Sequence, residues 1–167
     1  MATDMEIFNK LLSLAKCFKG FGPNDLRDLL NISSKAMWRT GEHAFIEGDP
    51  GRDMYVICTG KINVWRKSGG EQVSLARLSE GESFGELGLI LNEGRSACAT
   101  ALEDTVAIRI SHERLHQAPA AASLLYRNIA KDLAEKLKIA NNIIVVQTQM
   151  GADHPHLETM GVRRKHR

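Results

Sequence analysis

The chain has 167 residues, 43% hydrophobic and 25% charged, enough for one domain with a real core and ordinary for a globular protein. A net charge of +2 is too small to point to nucleic acid by itself, and no apolar run approaches the ~20 residues that span a bilayer. Three scattered cysteines, Cys17, Cys58 and Cys98, form no Cys-x-x-Cys pair, so a disulfide framework or thiolate zinc site is not expected. With a start that lacks the basic and apolar regions of a secretory signal, they fit a reduced, cytoplasmic setting.

Residues 1–35 read as a helical segment. Ile7, Leu11, Leu12 and Leu14 fall at roughly helical spacing within residues 5–16. Phe18, Phe21 and the pair Gly22-Pro23 interrupt them, and Asn24 is the expected N-cap of a second short helix, Asp25–Leu30.

From about Met37 to Ile110 short apolar segments alternate with glycine-centred turns. Trp38, Ala44-Phe45-Ile46 and Met54-Tyr55-Val56-Ile57 are each followed by such a turn. Lys61–Arg66 alternates strictly and ends at Ser68-Gly69-Gly70, a hairpin pattern; Gln72–Leu78 and Val106–Ile110 alternate again. Seven or eight short strands predict a small antiparallel sandwich or barrel.

Residues 81–101 break that pattern. Phe84-Gly85-Glu86-Leu87-Gly88 surrounds one carboxylate with glycines, Leu89-Ile90-Leu91 and the turn Asn92-Glu93-Gly94 follow, and Arg95 stands among Ser96, Ala97 and Cys98. Glycines allow close approach of a ligand to the backbone. A helical turn beginning at Glu86 offers free N–H groups to an anion, and Arg95 offers a planar cation. Glu86 repels an anion, so in the same pocket it should meet a hydroxyl. The stretch reads as a site for a small, singly charged sugar phosphate.

A long helix ends the folded part. Pro119 suits its first turn. Leu125, Ile129, Leu133 and Leu137 step by four beside Leu124, Ala130, Ala134 and Ala140, and Ile143–Val146 extend the apolar character toward a buried contact or a partner helix. The β-region and this helix form the expected domain 36–150; residues 151–167, ending in Arg163-Arg-Lys-His-Arg167, read as a flexible basic tail. His112-Glu113-Arg114-Leu115-His116 fits the H-E-x-x-H zinc pattern, but its expected helix is too short before Pro119, so no metal and no catalysis are assigned.

In this order, Thr40-Gly41-Glu42, Glu47-Gly48-Asp49, Met54–Ile57, Gly60-Lys61, Phe84–Ile90 and Arg95-Ser96-Ala97 resemble the cyclic-nucleotide-binding domain family, which includes domains of protein kinase A regulatory subunits, cyclic-nucleotide-gated channels and catabolite activator protein. The resemblance spans about residues 5–145. It implies an eight-stranded antiparallel β-roll, jelly-roll-like, with short N-terminal helices and a long C-terminal helix. It implies that Phe84, Gly85, Glu86, Leu87, Gly88, Arg95, Ser96 and Ala97 form a phosphate-binding cassette, with Glu86 on the ribose 2′-hydroxyl and Arg95 on the phosphate. Leu75 and Ala76 match positions near the base, and Lys138, Asn141 or Asn142 of the last helix are the expected base or lid contacts. The implied ligand is cyclic AMP or cyclic GMP, with no cofactor. The implied role is a regulatory domain whose C-terminal helix moves on binding, acting on an unidentified effector or pairing as a homodimer through that helix. No helix-turn-helix pattern follows residue 150, so no DNA-binding domain is expected. The alternative is a ligand-independent scaffold of the same fold.

Overall fold

The computed structural model describes residues 13–91 and 93–152. Most of the helix expected over residues 5–16, and the basic run 163–167, lie outside the described residues. A short 3-10 turn, Lys16–Phe18, leads into helix α1, Pro23–Asn31. Asn24 is not its cap. Gly22 holds the N-cap position, Pro23 is the first helical residue, and the Gly22 N–H donates to Asp25 Oδ2 at 2.9 Å. Proline wins that position because its fixed φ is already helical and its missing N–H would have had no partner there.

Eight strands follow: β1 Ser33–Trp38, β2 His43–Phe45, β3 Met54–Thr59, β4 Ile62–Ser68, β5 Glu71–Leu78, β6 Ser83–Phe84, β7 Cys98–Ala101 and β8 Thr105–Ile110. They form two antiparallel four-stranded sheets, ordered β1-β8-β3-β6 and β2-β7-β4-β5. The small antiparallel sandwich expected from the alternation, and the eight-stranded β-roll implied by the resemblance, are therefore present. β1 begins at Ser33, four residues before the apolar signal at Met37. The β4–β5 hairpin turns on Gly69 (φ 61°) and Gly70 (φ 88°), the two left-handed residues that a tight hairpin turn needs. Strand β7 was not evident in Cys98-Ala-Thr-Ala101, whose small residues have little strand preference of their own. It lies between β2 and β4, hydrogen-bonded on both sides, and its Ala99 and Ala101 are buried.

Between the sheets lies a core of Phe45, Tyr55, Ile57, Ile62, Phe84, Ala99, Ala101 and Ala107, edged by Ala36, Trp38, Val64 and Leu78. Its aromatic rings are arranged in sequence: Trp38 meets Tyr55 edge-on at 5.2 Å, Tyr55 stacks on Phe84 at 5.1 Å, and Phe84 lies 5.8 Å from Phe45. The alternate residues Met54, Val56 and Ile110 are also fully buried, so β3 and β8 are covered on both faces.

After β8 a 3-10 turn, His112–Gln117, leads to the long helix α3, Pro119–Ala152; the short α2, Glu86–Leu91, lies between β6 and β7. Ser111 holds the N-cap position of the 3-10 turn, but its side chain makes no capping bond. In a 3-10 turn residues four apart point roughly a third of a turn away from each other, so His112 and His116 do not share a face as zinc ligands on an α-helix do. His116 Nδ1 instead pairs with the Glu113 carbonyl at 2.8 Å.

The chain divides into two compact units, residues 1–130 and 131–167. In the first, Leu125 and Ile129 of α3 are buried, and Asn128 donates to the carbonyls of Cys17 (2.9 Å) and Lys19 (2.8 Å). The apolar stripe expected along the whole helix is core only over this stretch. In the second unit Leu137, Ile139, Ile143, Ile144, Val145 and Val146 are all exposed. Among the described residues no helix is long and apolar enough to cross a membrane.

Candidate ligand-binding site

The interruption at residues 81–101 has a definite shape. Gly85 (φ 81°) turns the chain out of β6, and α2 starts at Glu86. Past α2 the chain returns toward the β2–β3 loop: the Arg95 N–H donates to the Asp49 carbonyl (2.9 Å) and the Gly48 N–H to the Arg95 carbonyl (2.8 Å). These paired bonds fix the backbone of Arg95 against that loop.

The Arg95 side chain is turned inward and is only 5% exposed. Its guanidinium lies over the Phe45 ring, 4.2 Å from the centroid, and 5.8 Å from that of Tyr55. Nη1 donates to the Asp53 carbonyl (2.8 Å) and to the Gly85 carbonyl (3.2 Å). Nε is buried without a hydrogen-bond partner. Backbone crowds this group closely. A Cβ on Gly51 would come 2.8 Å from Nε, and one on Gly88 would come 3.0 Å from Nη1 and 2.6 Å from the Gly51 carbonyl. Only residues without side chains allow these contacts.

Burial is the largest influence on Arg95 and pushes its pKa below the ordinary guanidinium value; Tyr55 and Asp53 offset this in part, and Arg109 adds to it. Arginine remains charged over the accessible pH range. Burial likewise raises the Tyr55 pKa, with the charge of Arg95 opposing. A buried cation held by carbonyls and rings, with one donor unused, is costly until an anion meets it. The site can therefore bind an anion.

Residues 36–121, just over half of the chain, match the family model described as "Cyclic nucleotide-binding domain". The chain belongs to that family. It is 32% identical over 125 residues to the cyclic AMP receptor protein of Thermus thermophilus, covering 74% of this chain and 58% of that protein. It is 25% identical over 135 residues to a CRP-like cAMP-activated global transcriptional regulator of Mycobacterium tuberculosis, covering 80% and 60%. The crystal structure of the Thermus thermophilus catabolite activator protein superposes with a TM-score of 0.74 at 30% identity, over 80% of this chain and 63% of that one. The chain thus spans about three-fifths of the length of these curated relatives.

Within this cyclic nucleotide-binding domain, the structure brings Gly85 and Gly88 of the expected cassette against the Arg95 side chain. Phe84 is buried in the aromatic series, Gly85 supplies a carbonyl to Arg95, and Gly88 packs against it. Glu86 opens α2 and is partly exposed, Leu87 and Ser96 are exposed, and Ala97 is buried. Ala76 lies opposite Val64, whereas Leu75 is the unpaired residue of a β-bulge between Val64 and Trp65 and is 56% exposed. Lys138, Asn141 and Asn142 are exposed residues of the second unit. Sequence reasoning missed the groups that hold Arg95: Phe45, Tyr55, Gly51 and the carbonyl of Asp53. The loop Glu47–Gly51 looked only like a turn, because nothing local tells that it will close on an arginine more than forty positions away.

Proposed function

We propose that this chain is a receptor domain for cyclic AMP, with cyclic GMP the competing nucleotide of the same phosphate chemistry, and that it works by binding without catalysis or cofactor. The observation that carries the reading is the buried Arg95 guanidinium with its unpartnered Nε. A cyclic phosphodiester carries one negative charge, which one guanidinium can match. Glu86 accepts a hydrogen bond from the ribose 2′-hydroxyl. Ala76 and Leu75 on β5 flank the base, Leu87, Gly88 and Ser96 border the phosphate, and Lys138, Asn141 or Asn142 of α3 meet the base edge. Adenine is favoured because two relatives are named for cyclic AMP.

Binding shifts the equilibrium of α3 through the segment Ser111–Pro119, and so changes what the helix presents to an effector in the cytoplasm. The exposed apolar residues of its distal part support pairing with a second copy of the chain. The scaffold alternative needs no ligand, and a thermal-shift titration separates the two. At a hundredfold excess over Kd a ligand that binds only the folded state adds about 2.7 kcal/mol, or roughly 5–10 °C in unfolding midpoint for a chain of this size. Cyclic AMP is expected to give this shift and its 2′-deoxy analogue a smaller one, with Glu86→Ala abolishing the difference. No shift with either cyclic nucleotide would leave the scaffold reading.

A further inference from the structure

We propose that Asp53 is the positioning residue of the anion site: its carbonyl holds the Arg95 guanidinium while its carboxylate, clamped by Arg109 and the His112 N–H, fixes where that carbonyl points. This rests on Arg95 being the phosphate anchor.

Asp53 stands immediately before β3. Its carbonyl accepts from Arg95 Nη1 at 2.8 Å. Its carboxylate accepts from Arg109 through Nε (2.6 Å) and Nη2 (2.5 Å) on Oδ2, and from the His112 N–H (3.1 Å) on Oδ1. One residue therefore links three parts of the first unit: the arginine of the cassette, strand β8, and the 3-10 turn that leads into α3. Arg109 is also the β3–β8 register partner of Tyr55, a residue whose ring lies beside the Arg95 guanidinium.

Two physical consequences follow. A peptide carbonyl is aimed by the backbone on either side of it. Fixing the same residue's side chain at two oxygens, one to a strand and one to a turn, removes the freedom that would let the carbonyl swing away from Nη1. The second consequence concerns charge. Arg109 is a second guanidinium whose charge acts on Arg95, and the Asp53 carboxylate offsets it. Were the pair only a surface ion pair, its half-exposed Arg109 would leave ligand binding unaffected. The proposed role instead makes ligand affinity depend on a carboxylate that does not touch the ligand.

The test is calorimetric titration of cyclic AMP into the parent, Asp53→Asn, Arg109→Gln and the double variant, with hydrogen exchange read at the His112 amide. Each single change is expected to weaken binding roughly fivefold or more, and the double change no further, because the two groups act as one unit. Arg109→Lys should fall between parent and Arg109→Gln, and exchange at His112 should quicken in Asp53→Asn. Affinities within twofold of the parent would overturn the proposal, even with a lowered unfolding midpoint. So would losses that simply add, or an Asp53→Asn variant that binds more tightly than the parent, which would make the carboxylate only a contributor to the local field. A parent that binds neither cyclic nucleotide would overturn the proposed function, and this role with it; a binding parent with indifferent variants would overturn this role alone.

Discussion

Arg95 shows how far a single residue can be read before its surroundings are known. Its position after a glycine-flanked glutamate is what suggests an anion ligand in the sequence. Its 5% exposure, its carbonyl partners and its two aromatic neighbours come from residues far away in sequence, and no local pattern contains them. Gly88 is informative for the same reason. A methyl group there would press on the Gly51 carbonyl at 2.6 Å and on Arg95 Nη1 at 3.0 Å. Both neighbours are constrained, one by backbone and one by burial, so relief requires α2 and the loop to separate. Gly88→Ala is therefore expected to lower stability by about 1–3 kcal/mol, the usual cost of overpacking, and to weaken nucleotide binding together with it. Chemical denaturation and calorimetry on the one variant check both; an unchanged midpoint would mean that the loop yields freely.

Strands β4, β5 and β8 were legible because apolar and polar residues alternate along them, even though β5 is exposed over most of its length and β8 is covered on both faces. The Gly69-Gly70 turn fixes the register between β4 and β5. β7 was not legible because its placement comes from ladder partners on both sides rather than from Cys98-Ala-Thr-Ala101 itself. In α3 the step of four continued past the point where the core ends. Leu125 is fully buried and Leu137 is 61% exposed, though the two occupy equivalent places in the repeat. Leu125→Ala is expected to cost about 2–5 kcal/mol, and Leu137→Ala less than about 0.5 kcal/mol in dilute monomer. Equal losses in thermal unfolding would contradict this division of the helix. If α3 pairs two chains, Leu137→Ala should also weaken self-association in sedimentation.

The loops between strands carry a pH-dependent tie. The Thr40 N–H (2.9 Å) and hydroxyl (3.2 Å) both donate to Asp104 Oδ1, and these bonds hold the Asp104 carboxyl below the ordinary carboxylate range. A depressed folded pKa stabilises the fold above the unfolded value of 3.8 and loses that contribution as pH falls through the lower folded value. Between pH 7 and pH 3 the parent should therefore lose more unfolding midpoint than Asp104→Asn, whose midpoint at neutral pH is already lower. Parallel curves for the two proteins would show that the tie contributes nothing.

At the level of the whole molecule, the β-roll, the family and the cassette could be read from an ordered set of short segments spread over most of the chain. Each segment states a local requirement, such as a turn, a half-buried strand or an exposed glycine, and together they specify one arrangement. Packing at a distance was not legible: the closure of the 47–53 loop on Arg95, the Asp53 contacts, and the point along α3 where burial stops. The same division bears on function. The candidate anion site is built from residues of the first unit, while the proposed base contacts, Lys138, Asn141 and Asn142, belong to the second. Phosphate affinity should therefore depend far more on Arg95 than on any residue beyond Ala130. The most direct measurement is a calorimetric titration of cyclic AMP into the parent and into Arg95→Ala. The account predicts saturable one-site binding to the parent and at least about tenfold weaker binding to the variant, since one hydrogen bond to a charged group contributes roughly 1.5–3 kcal/mol. Equal affinity in the two proteins would contradict it.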